Sequence, residues 1–181
     1  MTKINNYHFR QAYYNDIESI VEIARKTFKE TYQEHFKKNF SETALESYLN
    51  HAFSMQKIKS EYADPNAKFY ILKQDQTTKG YCKLTGFQNP MITTLMLDRI
   101  YLDKDIQGKG IGKEILEHVL EIAQSENKTK IKLHCWEDHT NSLIFYKKNG
   151  FQIIDKIKFQ IEATKYEDTD YVLEKTIKRN N

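Results

Sequence analysis

The sequence has few of the residues that would signal a disulfide-stapled, membrane-embedded or strongly charged protein. Its two cysteines, Cys82 and Cys135, lie in strand-like runs with no signal peptide ahead of them, so we expect reduced core thiols and no disulfide. No apolar run approaches the roughly 20 residues of a membrane span. We therefore expect a soluble cytoplasmic protein without a membrane partner.

Charge of neither sign is in large excess. The 28 basic and 25 acidic residues leave a net charge of +3 and are interspersed, which is too even a balance to indicate a nucleic-acid partner. Aromatic residues make up 13% of the sequence, which favours a folded domain over a disordered chain. The length of 181 residues suits a single domain over 1–181, which we expect to be a monomer or homodimer without a metal site.

Hydrophobic spacing predicts a mixed α/β layout around one sheet. The predicted strands are 7–12, 68–74, 80–87, 94–102, 130–136, 152–160 and 170–177, and the predicted helices are about 15–29, 41–52, 54–62, 111–125 and 142–149. Asn15, Ser41 and Ser54 are the expected N-caps, and Gly150 is expected to end the last helix in a left-handed conformation. The stretch 30–40 is aromatic and charged and is left without an assignment.

Glycine is scarce, with six in the chain, yet Gly108, Gly110 and Gly112 fall together where a predicted strand turns into a predicted helix. Such a junction leaves backbone N–H groups unpaired at the positive end of a helix dipole. Glycine has no Cβ, so the backbone can touch an anion directly. The loop therefore predicts a phosphate or pyrophosphate site.

Two better-known phosphate motifs do not fit this loop. The P-loop needs a glycine where Gln107 stands and a serine or threonine where Glu114 stands. The dinucleotide fingerprint needs its third glycine at the position of Lys113. What remains is Gln-x-x-Gly-x-Gly, read as Gln107, Gly110 and Gly112.

That pattern resembles the acyl-CoA pyrophosphate loop of the GNAT superfamily of N-acetyltransferases. A second segment about 30 residues later, from Asn141 through Tyr146 to Gly150 and Phe151, resembles the family's Asn-x-x-x-x-Tyr-x-x-x-Gly-Phe motif. The resemblance extends from Phe9 to Ile177. It implies the GNAT fold, an α/β arrangement with a central, mostly antiparallel mixed sheet of about seven strands flanked by helices.

The resemblance implies acetyl-CoA as the cofactor. Its pantetheine arm would pair with the backbone of the strand before the loop, and the family separates this strand from the one at 130–136, which opens a slot for the thioester. Asn141 would contact the cofactor, unless it only caps its helix, and Lys109 and Lys113 would face phosphates, unless they are simply solvated. The cofactor-binding residues implied are Ile100, Tyr101, Leu102, Gln107, Gly108, Lys109, Gly110, Ile111, Gly112, Lys113 and Asn141.

The resemblance also implies direct attack of an amine on the thioester in a ternary complex. Tyr146 is the candidate general acid, because a phenol with an ordinary pKa near ~10 is protonated at neutral pH and can donate to a leaving thiolate. The general base stays open among Asp98, His134 and Glu137. Strand alternation predicts that Asp98 shares a face with Ile100 and Leu102.

A narrower resemblance, to the bacterial Pai-type spermidine/spermine N-acetyltransferases, concerns the acceptor. It rests on residues 27–32, 48–49, 99–101, 136–137 and 168–170, although His134 and Cys135 replace that subfamily's Gly-Val. It implies a polyamine acceptor held by carboxylates and aromatic faces. A protein N-terminus or lysine, a small amine, or a non-catalytic acyl-CoA-binding module remain alternatives. The candidate acceptor residues are Phe28, Glu30, Tyr32, Trp136 and Glu137.

Overall fold

A computed structural model describes residues 2–4, 6–89, 91–161 and 164–177. The strands are β1 (Thr2–Ile4), β2 (Tyr7–Gln11), β3 (Ala67–Gln74), β4 (Thr77–Thr85), β5 (Thr94–Leu102), β6 (Lys130–Trp136), β7 (Gln152–Gln160) and β8 (Glu167–Thr176). The helices are α1 (Ile17–Asn39), α2 (Glu42–Ala52), α3 (Met55–Ala63), α4 (Ile111–Ser125) and α5 (Thr140–Lys148).

All eight strands form one sheet in the order β1-β2-β3-β4-β5-β6-β8-β7. Every neighbouring pair is antiparallel except β5 and β6, which are parallel. The expected mixed, mostly antiparallel sheet flanked by helices is confirmed. The strand beyond the predicted seven is the three-residue β1, which carries too few residues for a periodic signal.

The parallel pair β5 and β6 stays together over a short length only. Its ladder joins Thr94 to Lys130 and Met96 to Lys132, and no later residue of β5 pairs with β6. On its other edge, β5 pairs with β4 as far as Leu102. One edge of β5 after Met96 is therefore left without a neighbouring strand, which opens a slot in the middle of the sheet.

The two faces of the sheet carry separate hydrophobic cores. On one face α4 and α5 pack on the strands through Ile115, Val119, Leu143 and Tyr146. On the other face α1, α2 and α3 cover a core that contains many aromatic rings. The slot between β5 and β6 lies between these layers, so side chains from both cores reach it.

The first helix is longer than the sequence predicted. It continues to Asn39 because Tyr32 and Phe36 follow Phe28 at four-residue spacing and pack in the same aromatic core. Its predicted N-cap is also wrong: Asn15 lies inside a single 3₁₀ turn, and Asp16 occupies the cap position.

The two predicted serine caps and the predicted glycine stop are confirmed. Ser41 and Ser54 cap their helices by accepting hydrogen bonds from Ala44 N at 3.0 Å and Lys57 N at 3.1 Å. Gly150 follows the last helix with φ of 86°, as a left-handed stop requires. Cys82 and Cys135 are buried free thiols. In the part of the chain that the structure describes, no helix is long and apolar enough to span a membrane.

Asp16 ties the start of α1 to the sheet. Its carboxylate accepts hydrogen bonds from Arg10 at 2.7 and 3.0 Å and from the Tyr13 N–H at 2.8 Å, and it pairs with Lys73 at 2.9 Å. Burial opposes its ionisation, but these partners outweigh that effect and hold the pKa of Asp16 well below its usual value.

We expect Asp16→Ala to lower the free energy of unfolding by about 3 kcal/mol, because it leaves two cations without their partner. Urea denaturation at pH 7 measures this loss, with the exposed Glu18→Ala as control. Since the folded pKa is depressed, the stabilisation is present above the unfolded pKa of about 3.9 and is lost as the pH falls below it. A loss at pH 7 no larger than that of Glu18→Ala would contradict this role.

Candidate active site

A cavity of about 1040 Å³ occupies the slot between β5 and β6 and continues to the glycine loop. Its size is slightly above the roughly 300–1,000 Å³ typical of ligand pockets. It is lined by Thr31, Tyr32, Leu97, Asp98, Arg99, Ile100, Tyr101, Leu102, Gln107, Gly108, Gly110, Gly112, Lys113, His134, Cys135, His139, Asn141, Ser142, Phe145, Tyr146, Lys148 and Asn149.

The glycine loop forms the mouth of the cavity. Gly108 and Gly110 have φ values of 73° and 83°, and a Cβ added at either would meet no atom within 4 Å. Gly110 is the N-cap of α4 and has no side chain to cap the helix. Among the described residues, the N–H groups of residues 108–112 have no recorded acceptor. The loop thus presents free donors at the positive end of a 15-residue helix.

Gln107 and Gly112 hold this loop in place. The Gln107 side chain donates to the carbonyl of Leu102 at 2.8 Å, which joins the loop to the end of β5. At Gly112 a Cβ would come within 3.2 Å of the Phe145 ring, so the absence of a side chain lets α5 approach the first turn of α4. Ile111, by contrast, is buried in the core beneath the loop, and Lys109 does not line the cavity.

Tyr146 enters the cavity from α5. The residue is 8% exposed and its ring packs against Phe145 and Phe151 at centroid distances of 5.2 and 5.6 Å. Burial raises the pKa of its hydroxyl well above the ordinary value, so the phenol stays protonated over the working pH range. A protonated hydroxyl on the cavity surface can donate a proton to a departing anion.

The start of α5 differs from the sequence-based expectation. Asn141 lines the cavity but is the second residue of the helix, and His139 is its N-cap. The His139 ring lies 3.0 Å from the Ser142 hydroxyl through Nδ1 and edge-on to Tyr32 at 5.6 Å. Burial lowers the pKa of His139, which favours the neutral imidazole. The capping alternative for Asn141 is therefore excluded, and a cofactor contact stays a prediction.

The end of the cavity away from the glycine loop, here termed the acceptor end, has an aromatic wall formed by Phe28, Tyr32 and Trp136. Tyr32 lines the cavity; its ring is tilted against Phe28 at a centroid distance of 4.4 Å and lies edge-on to Trp136 at 5.9 Å. Phe28 itself is buried among these rings, and Trp136 lies behind Tyr32, so neither lines the cavity. Tyr32 is thus the one acceptor candidate of the five that the structure places on the cavity surface.

The charged acceptor and base candidates lie in different places. Glu30 has one carboxylate oxygen buried without a partner among the described residues and does not line the cavity. Glu137 forms an ion pair with Lys156 outside the cavity. His134 and Asp98 line the cavity.

The predicted alternation around Asp98 is wrong. The pairing of β4 with β5 shifts between Lys83 and Leu84, which makes Asp98 the extra residue of a β-bulge. Its carboxylate lies 3.5 Å from the Lys83 ammonium, on the face that carries Arg99, whereas Ile100 and Leu102 pack on the α4 face.

Two further residues beside the aromatic wall are Asp168 and Asp170 on β8. Asp168 accepts from the Trp136 indole N–H at 2.9 Å and lies 2.8 Å from His35 Nε2. Asp170 is the register partner of Trp136. The pairing of β8 with β6 has no local sequence signal, so the sequence alone does not place these two carboxylates beside the aromatic wall.

The shape and donor set of the cavity fit acetyl-CoA. Free N–H groups at a helix N-terminus suit its pyrophosphate, and the open edge of β5 suits its amide-bearing arm. Neither cysteine is an activated nucleophile, because burial raises the pKa of Cys135 to about 12 and that of Cys82 still further.

Known proteins share this architecture. A model of the Acetyltransferase (GNAT) family matches residues 17–151. An uncharacterized N-acetyltransferase of Lactobacillus delbrueckii subsp. lactis is 30% identical over 166 residues, which cover 90% of this chain and 92% of the relative. A spermidine N(1)-acetyltransferase of Thermoplasma acidophilum is 26% identical over 164 residues, which cover 88% of this chain and 91% of the relative.

A solved structure is similar over the whole fold. The crystal structure of the PaiA N-acetyltransferase of Thermoplasma acidophilum in complex with coenzyme A superposes with a TM-score of 0.74 at 24% identity, covering 94% of this chain and 98% of that one. The family match spans most of the chain and includes the glycine loop and Tyr146. The chain therefore belongs to the GNAT family and is an N-acetyltransferase that takes its acetyl group from acetyl-CoA.

Proposed function

We propose that the enzyme acetylates a primary amine of a polyamine such as spermidine or spermine by direct attack in a ternary complex. The observation that carries the proposal is the surroundings of the cavity end that Tyr32 lines, where the indole of Trp136 lies behind Tyr32 and two carboxylates of β8 lie beside Trp136. Aromatic faces and carboxylates are the groups that bind alkylammonium ions. The spermidine N(1)-acetyltransferase relative supports the same choice of acceptor.

The two ends of the cavity serve different partners in this proposal. Acetyl-CoA supplies an activated acetyl thioester whose carbonyl carbon accepts the amine and whose sulfur leaves as a thiolate. The amides of residues 108–112 hold its pyrophosphate, and the backbone of Ile100, Tyr101 and Leu102 orients its arm along the open edge of β5. Tyr146 donates a proton to the departing sulfur. Protonated, buried thiols at Cys82 and Cys135 favour direct attack over a covalent enzyme intermediate.

The test is release of free thiol from acetyl-CoA by the purified protein with spermidine, spermine, putrescine, a lysine peptide and a panel of small amines. We expect saturable turnover with spermidine or spermine and a mono-acetylated product by mass spectrometry. A reaction without an amine controls for hydrolysis of the thioester. A reaction with N-acetylated spermidine tests which amine of spermidine is attacked.

The other outcomes separate the alternatives. Turnover only with the lysine peptide or with a small amine would overturn the polyamine proposal. Tight acetyl-CoA binding without turnover on any amine would indicate a regulatory module that binds the cofactor.

A further inference from the structure

Asp170 is a half-buried carboxylate beside the acceptor end of the cavity. It lies on β8 directly opposite Trp136, the last residue of β6, and opposite Ile157 of β7. In the part of the chain that the structure describes, no hydrogen bond or ion pair is recorded for its side chain. It is close enough to Tyr32 and Cys135, which both line the cavity, to influence their ionisation.

Its neighbour Asp168 is already fully engaged. One oxygen of Asp168 accepts from the Trp136 indole at 2.9 Å and from the Thr169 N–H at 2.8 Å, and the other lies 2.8 Å from His35 Nε2. These contacts fix the aromatic wall from behind. Of the two carboxylates, Asp170 is the one with no side-chain partner among the described residues; it lies next to Tyr32 and Cys135, which line the cavity, and is not itself part of that lining.

The groups around Asp170 supply no strong counter-charge. Asp168 lies two residues away on β8, Cys135 lies on β6 and Tyr32 lies on α1, while Lys156 of β7 pairs with Glu137. His35 of α1 contacts Asp168. His134 lies on the same face of β6 as Trp136, and its register partner on β8 is Val172. Burial, and then the charge of Asp168, raise the pKa of Asp170 to about 6.

We propose that Asp170 binds the ammonium group of the acceptor and takes the proton that must leave before the amine can attack. The inference rests on the proposed function, since it assigns a residue to the acceptor side of the same reaction. A proton passes from R–NH₃⁺ to the Asp170 carboxylate, and the freed nitrogen lone pair forms the bond to the acetyl carbon. The C–S bond breaks, the sulfur receives a proton from Tyr146, and the second amine proton returns to Tyr146 through water. The proton on Asp170 is released to solvent.

The decisive variant is Asp170→Asn, which keeps the size of the side chain and removes its charge. We expect kcat/KM for the amine to fall by about 10²-fold or more, the effect typical of a general base, with unchanged affinity for CoA. The matched control is Glu167→Gln, an exposed carboxylate on the same strand, which should behave as the wild type.

The pH profile distinguishes a proton acceptor from a merely structural residue. In the wild type, kcat/KM should rise as the pH increases through about 6, because Asp170 becomes ionised there. This limb should disappear in Asp170→Asn. Asp170→Glu should restore part of the rate and part of the limb.

Stability provides a second readout. Because the folded pKa is raised, ionised Asp170 destabilises the fold above the unfolded pKa of about 3.9, so the Asn variant should have an equal or higher Tm at pH 7. A loss of rate with a retained Tm therefore assigns Asp170 to function.

Binding of spermidine to the CoA-loaded protein, measured by calorimetry, separates this inference from the question of turnover. Loss of spermidine affinity in Asp170→Asn, with wild-type affinity in Glu167→Gln, would support the proposal even if no amine were acetylated. If the wild type acetylates another amine instead, the same variants are compared on that amine. Equal rates, equal amine affinities and an unchanged acid limb in Asp170→Asn would overturn it.

Discussion

The Gly110→Asp variant should lose measurable acetyl-CoA binding, at least about 100-fold in Kd, or roughly 3 kcal/mol. Gly110 has a φ of 83° at the N-cap of α4, and the space where its Cβ would lie is open. A carboxylate there would occupy the position offered to the pyrophosphate and repel it. It would also accept hydrogen bonds from the backbone N–H groups that the loop leaves unpaired.

The matched control is Gly110→Asn, because asparagine tolerates the left-handed conformation and has the same shape as aspartate without its charge. Isothermal titration with acetyl-CoA should show a moderate loss for Asn and a much larger one for Asp. Equal affinities of the Asp variant and the wild type would contradict the assignment of the loop to the pyrophosphate.

The Tyr146→Phe variant should bind acetyl-CoA as the wild type does and turn over about 10²-fold more slowly. The substitution removes only the hydroxyl, so the ring contacts with Phe145 and Phe151 are retained. What is lost is a proton donor whose raised pKa keeps it protonated in the cavity. The effect should therefore appear in kcat and not in the affinity for the cofactor.

Tyr70→Phe is the control for this experiment, since Tyr70 is a buried tyrosine of the same core that does not line the cavity. Steady-state kinetics with the best amine of the screen, together with titration of acetyl-CoA, gives both quantities. A rate for Tyr146→Phe equal to that for Tyr70→Phe would mean that water or another group protonates the sulfur.

Features encoded locally could be predicted from the sequence. Ser41 and Ser54 cap their helices because a hydroxyl accepts from an N–H three residues on, and the glycine loop combines a strand end, three glycines and a helix start within one short segment. The continuation of α1 to Asn39 was missed because charged residues interrupt the apolar pattern there, and Phe36 is buried only through tertiary packing.

The acceptor end of the site depends on strand pairing between distant segments. Asp170 meets Trp136 because β8 pairs with β6, and no property of either segment alone specifies that register. The bulge at Asp98 likewise follows from the pairing of β4 with β5, and it reverses the side on which the carboxylate lies. Cofactor chemistry could therefore be predicted from motifs, whereas the acceptor chemistry required the fold.

The short ladder between β5 and β6 has a consequence for the thermal stability of the enzyme. Three residue pairs join the five strands before the slot to the three strands after it, although α4 and α5 pack across both. An acetyl-CoA molecule bound in the slot contacts both parts of the sheet. It binds only the folded protein. At 100 times its Kd it would add about 2.7 kcal/mol to the free energy of unfolding. The melting temperature of this protein is thus a property of the chain together with the donor concentration, and variants that bind the donor differently have comparable melting temperatures only when it is absent.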